Sequence, residues 1–96
     1  MADIAGSSNV AGVTLSYDVN PTTPQATVTA SYAGVKLGSA TLTSSQATAS
    51  IGGTVLGTTV KATLTANWSS DNITYSVKLD TPTTKAKTYS GTLVHW

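Results

Sequence analysis

The chain contains no cysteine, arginine, glutamate or phenylalanine, and its single methionine is Met1. Without cysteine there is no disulfide, no thiol chemistry and no zinc–thiolate site. Arginine is missing, and of the five lysines only Lys85 and Lys87 lie close together, so there is no basic stripe of the kind that tracks a nucleic-acid backbone. Charged residues make up 9% of the chain, against about 25% in ordinary soluble domains. The acids are Asp3, Asp18, Asp71 and Asp80, and the one histidine is His95, next to the end. General acid–base or nucleophilic catalysis needs a titratable partner beside the reacting group, and a metal needs convergent ligands. Serines abound, but none sits in a nucleophile-elbow pattern. The sequence therefore predicts no enzyme, no catalytic residue, no metal ligand and no cofactor.

What the chain has is hydroxyl groups: 19 Thr and 12 Ser among 96 residues. A net charge of +1 with 40% hydrophobic residues does not fit the high-charge, aliphatic-poor composition of disordered chains. The length suits one domain. Residues 1–9, rich in Ala, Gly, Ser and Asn, read as a flexible N-terminal arm, and residues 10–96 as a single β domain. The arm carries neither the basic region nor the apolar stretch of a signal peptide, and no run is long enough for a membrane span.

Period-two alternation, the mark of strands with one dry face and one wet face, runs through almost the whole chain. Val13, Leu15, Tyr17 and Val19 alternate with Thr14, Ser16 and Asp18 until Asn20-Pro21-Thr22-Thr23-Pro24 stops the run, because proline cannot donate to a ladder. Ala26, Val28, Ala30 and Tyr32 alternate with Thr27, Thr29 and Ser31 over Gln25 to Tyr32, and Ala33-Gly34 then makes a tight turn. The phase slips between Val35/Leu37 and Ala40/Leu42, which predicts a β-bulge near Gly38-Ser39. With it, Val35 opposes Tyr32, Leu37 opposes Ala30, Ala40 opposes Val28 and Leu42 opposes Ala26.

Ala47, Ala49 and Ile51 predict a short strand before Gly52-Gly53, while 54–57 reads either way. Next comes a hairpin across Ser69–Asn72, in which Trp68 pairs with Ile73, Leu64 with Val77, Ala62 with Leu79, and Lys61 meets Asp80 as a cross-strand ion pair. The final run, Lys85 to Trp96, has Tyr89, Gly91 and Leu93 on one side and Val94 and Trp96 on the other. A strand apolar on both faces is central in its sheet or covered by a partner. The fold class expected is all-β: a small antiparallel β-sandwich or barrel of six to eight short strands.

Candidate ligand or interface residues follow from the aromatics. Trp68 borders a loop with Asn67, Asp71 and Asn72 beside it, a grouping in which an indole could stack on a sugar while amides bond its hydroxyls. It also shares parity with Leu64 and Ala66, the pattern of a residue capping a core. Tyr89, Leu93 and Trp96 mark the two-sided last strand as an interface. Asn67-Trp68-Ser69 and Asn72-Ile73-Thr74 match the N-glycosylation pattern, but so many hydroxyl residues produce such matches by chance. The Thr-x-Thr segments starting at Ala26, Ala40 and Ala62 recur at unequal intervals, which fits neither a solenoid nor the regular rows of an ice-binding plane.

The stretch Ala62-Thr-Leu-Thr-Ala-Asn-Trp-Ser-Ser-Asp71 resembles the Thr-rich strand and Trp-Ser segment of bacterial and phage immunoglobulin-like modules, β-sandwiches of adhesins and virions. It covers about a tenth of the chain, and the glycine-framed closing strand of those modules has no counterpart here. The strand vocabulary also resembles that of pilin-type fibre subunits. The function expected is a non-catalytic structural subunit of a virion surface or extracellular fibre, a homo-oligomer or part of a larger assembly. The alternative is a glycan-binding module using the aromatic-bearing hairpin loop.

Overall fold

The computed structural model describes residues 4–96. Eight strands run in order: β1 (Ile4–Val10), β2 (Val13–Asn20), β3 (Gln25–Tyr32), β4 (Val35–Thr43), β5 (Thr48–Val55), β6 (Thr58–Asn67), β7 (Asn72–Thr81) and β8 (Thr84–His95). They form two four-stranded antiparallel sheets, β1-β2-β3-β4 and β5-β6-β7-β8, each a plain meander. Consecutive strands are neighbours throughout, so the Greek-key crossing of an immunoglobulin sandwich is absent among the described strands. The molecule measures 45 × 21 × 19 Å.

The inner faces of the two sheets share one core. Val13, Leu15, Val19, Ala26, Val28, Ala30 and Leu42 come from the first sheet, and Ile51, Val60, Ala62, Leu64, Ala66, Ile73 and Val77 from the second. Among the described residues no buried one is polar. The alternation in sequence is thus an alternation in space. The outer faces carry hydroxyls paired across strands, as in Thr48–Thr65 (3.5 Å), Ser50–Thr63 (3.4 Å) and Thr54–Thr59 (3.4 Å), contacts that favour the register modestly.

Three hairpins use the same two-residue turn with both residues at positive φ: Ala11-Gly12, Ala33-Gly34 and Leu56-Gly57. That geometry suits the strand twist and asks for Gly, Asn or Asp. Glycine supplies the second position each time, while Ala11, Ala33 and Leu56 hold the first at φ 52°.

Of the segment read as an arm, residues 1–3 lie outside the described residues, and from Ile4 the chain is strand β1, in register with β2 from Ile4/Val19 to Val10/Val13. The bulge in β4 is present, with Tyr32/Val35, Val28/Ala40 and Ala26/Leu42 paired as expected. The extra residue is Leu37, however, because Ala30 faces Gly38. The β5 strand runs straight through the glycine pair as far as Val55.

The β6–β7 register departs from expectation by two residues: Ala66 faces Ile73, Leu64 faces Tyr75, Ala62 faces Val77, and Lys61 faces Lys78 instead of Asp80. Trp68 is the cause. It leaves the ladder to become the first residue of a four-residue loop, so Asn67 and Asn72 close the hairpin. The expectation for β8 also needs correction. It is an edge strand, not a central one, and its two-sided pattern comes from a bulge opposite Ile73/Thr74 that lets adjacent Leu93 and Val94 both enter the core.

Candidate functional site

Asn67, Trp68, Asp71, Asn72 and Trp96 do gather at one end of the molecule. Asp71 takes a positive φ of 59°, and its carbonyl accepts the Trp96 N–H at 2.8 Å, which ties the chain end to the loop. The Trp68 and Trp96 ring centroids are then 5.4 Å apart at an interplanar angle of 52°. Both rings are half-buried against the core. The Trp68 indole Nε1 is buried with no hydrogen-bond partner. The Asn67 Oδ1 accepts from the Ser69 hydroxyl (2.8 Å) and the Ser70 N–H (3.2 Å), so this amide oxygen shapes its own loop. Leu93 is buried in the core near this end, and Tyr89 lies elsewhere, opposite Val77 and 38% exposed.

Sequence reasoning missed the edges of the two sheets, where β1 and β8 each end a sheet without pairing with one another. The other two edge strands, β4 and β5, lie against each other. A Cβ on Gly53 would stand 3.3 Å from the Leu37 side chain, and one on Gly38 would stand 3.3 Å from Ile51. The bulge that frees Leu37 from the ladder thus aims it at β5. The edge strands β1 and β8 are each thinned by a glycine. Gly6 faces Tyr17, and Gly91 faces Tyr75. A Cβ there would come within 2.6 Å of the Tyr17 hydroxyl oxygen or 2.9 Å of that of Tyr75. Each phenol therefore lies over its glycine, covering the core with its ring while its hydroxyl reaches the open edge.

Along β8 the inner face continues from Gly91 through Tyr89 and Lys87, opposite Tyr75, Val77 and Leu79. Lys85 and Lys87 line a groove of about 180 Å³ with Tyr32, Thr58, Leu79 and Thr81. Both lysines are exposed, although Lys87 lies on the core side of its strand opposite Leu79. The signal for Lys87 was present in the sequence, as it shares the parity of Tyr89. On β1, by contrast, Ile4–Val10 has no charge and no proline.

Among the described residues no three acidic or histidine side chains converge on a point that could hold a metal ion. Among the same residues no helix is long and apolar enough to cross a membrane. In comparisons with known proteins the chain matches no family model, no curated protein and no solved structure.

Proposed function

We propose that this domain is a non-catalytic structural subunit that acts by self-association, a β-sandwich building block of a virion surface or extracellular fibre. The observation that carries the reading is the unequal guarding of its four edge strands. β4 and β5 lie against each other. β8 carries the inward Lys87 and a bulge, two devices that discourage strand addition. β1 has neither device. The outer faces are lined mainly with hydroxyls and charged residues make up only 9% of the chain, which supports the same reading.

The glycan-binding alternative draws less support from the loop. Trp68 leans on Trp96 instead of standing free, and the Asn67 acceptor is engaged within the loop. Multi-angle light scattering over a concentration series tests the proposal. Mass above that of one chain, rising with concentration, is expected; a strict monomer at the highest concentrations overturns it.

A further inference from the structure

Resting on that reading, we infer that the assembling contact is β1 against β1 of a second copy, antiparallel across a two-fold axis at Ser7. The two-residue turn makes Val10 and Val13 a pair that exchanges both backbone hydrogen bonds. Bonding then alternates along an antiparallel ladder, so Val10, Ser8, Gly6 and Ile4 bond to β2, while Ala5, Ser7 and Asn9 turn their N–H and C=O groups to the free edge. Those three residues are evenly spaced about Ser7, and their side chains are small, uncharged and exposed.

Pairing two such edges about Ser7 sets Ser7 against Ser7 and Ala5 against Asn9 twice, engaging all six free backbone groups on each strand. On the core side the same register places Ile4 against Val10 of the other copy and Gly6 against Ser8. Ile4, half-buried at the end of its sheet, would thereby gain an apolar neighbour. A shift by one residue would turn the apolar residues to opposite faces, and a shift by two would set each Ile4 opposite Ser8 or Gly12 of the other copy instead of Val10. The Asn9 side chain does not compete for the edge, because its Oδ1 accepts the Gly12 N–H at 3.1 Å. Like charges meet nowhere along Ile4–Val10. The product is one continuous eight-stranded sheet, β4-β3-β2-β1 followed by its two-fold copy, closed with respect to this edge.

The chain has no cysteine, so Ser7→Cys introduces a single thiol on an exposed side chain. Facing residues in this register have Cα atoms about 5.5 Å apart, within the usual span of a disulfide of about 4.4–6.8 Å. Under mild oxidation Ser7→Cys should convert most of the protein to covalent dimer. Ser16→Cys, exposed on the outer face of β2, should remain largely monomeric under the same conditions. Circular dichroism verifies that both variants keep the wild-type fold. Wild type that associates in light scattering while Ser7→Cys cross-links no better than Ser16→Cys overturns the β1 contact and leaves self-association standing. Wild type that stays monomeric overturns both.

Discussion

Tyr17 lies across Gly6, and the fit is close enough that a single methyl on Gly6 would approach the tyrosine oxygen to 2.6 Å. Tyr75 over Gly91 repeats the arrangement at the other open edge, at 2.9 Å. A glycine in a strand weakens it locally, but here the tyrosine ring fills the missing side chain's place and keeps the edge thin.

The two residues should therefore be energetically coupled. Gly6→Ala should cost about 1–2 kcal/mol in the wild-type background, because the ring must swing off the core. With Tyr17→Leu already present, Gly6→Ala should be neutral or stabilising, giving a coupling energy of at least about 0.5 kcal/mol. Urea denaturation of the four proteins measures it; additive effects would count against the packing described.

Leu56 occupies a left-handed turn position and is 90% exposed. Asparagine suits that conformation better than a γ-branched residue. Leu56→Asn should stabilise by about 0.5–1 kcal/mol, raising Tm by several degrees in calorimetry.

Lys61 and Lys78 face each other directly on the outer surface of β6 and β7. Lys78→Glu should turn a repulsive pair into an attractive one, with a gain of about 0.5–1 kcal/mol at low ionic strength. Most of that gain should vanish at about 1 M salt, where the screening length falls to about 3 Å. Thermal melts of both proteins at the two salt concentrations check the sign and the screening. A gain indifferent to salt would point to a cause other than charge.

Trp68 packs at a tilt against Trp96 while leaving its Nε1 without a partner. Phenylalanine keeps an aromatic ring there and removes the orphaned donor, so Trp68→Phe should stay within about 1 kcal/mol of wild type. Trp68→Ala should lose about 2–3 kcal/mol, somewhat below the cost of truncating a fully buried aromatic ring. Equilibrium denaturation separates the two; equal losses would mean that Nε1 is satisfied.

The sequence was most readable where turn residues and alternation agreed. β3 runs from Gln25 to Tyr32 as expected, because prolines bound one end and Ala33-Gly34 the other. The β4 bulge was also legible, since one inserted residue between Val35 and Ala40 is enough to restore a single apolar face. β1 was not. Ala, Gly, Ser and Asn have weak strand preferences, and only the register with β2, including the Gly6–Tyr17 fit, makes this segment a strand. The β6–β7 register is not legible from alternation, because Trp68 is apolar and in phase with the core and yet belongs to the loop. The apparent Lys61–Asp80 match favours the same wrong register. In β8 the two-sided pattern suggested a cover from outside, whereas a bulge turns both Leu93 and Val94 inward. The contact of Trp68 with Trp96, 28 residues away in sequence, is out of reach of local patterns.

Sedimentation velocity of wild type and Ser7→Pro, run side by side over a concentration range, decides whether β1 is the assembling edge. The Ser7 N–H points to the free edge, so proline there removes no bond within the sheet but blocks a strand from pairing with it. Wild type should associate with rising concentration while Ser7→Pro, with an unchanged circular dichroism spectrum, sediments as a monomer throughout. A folded Ser7→Pro that associates as strongly as wild type would contradict assembly through β1.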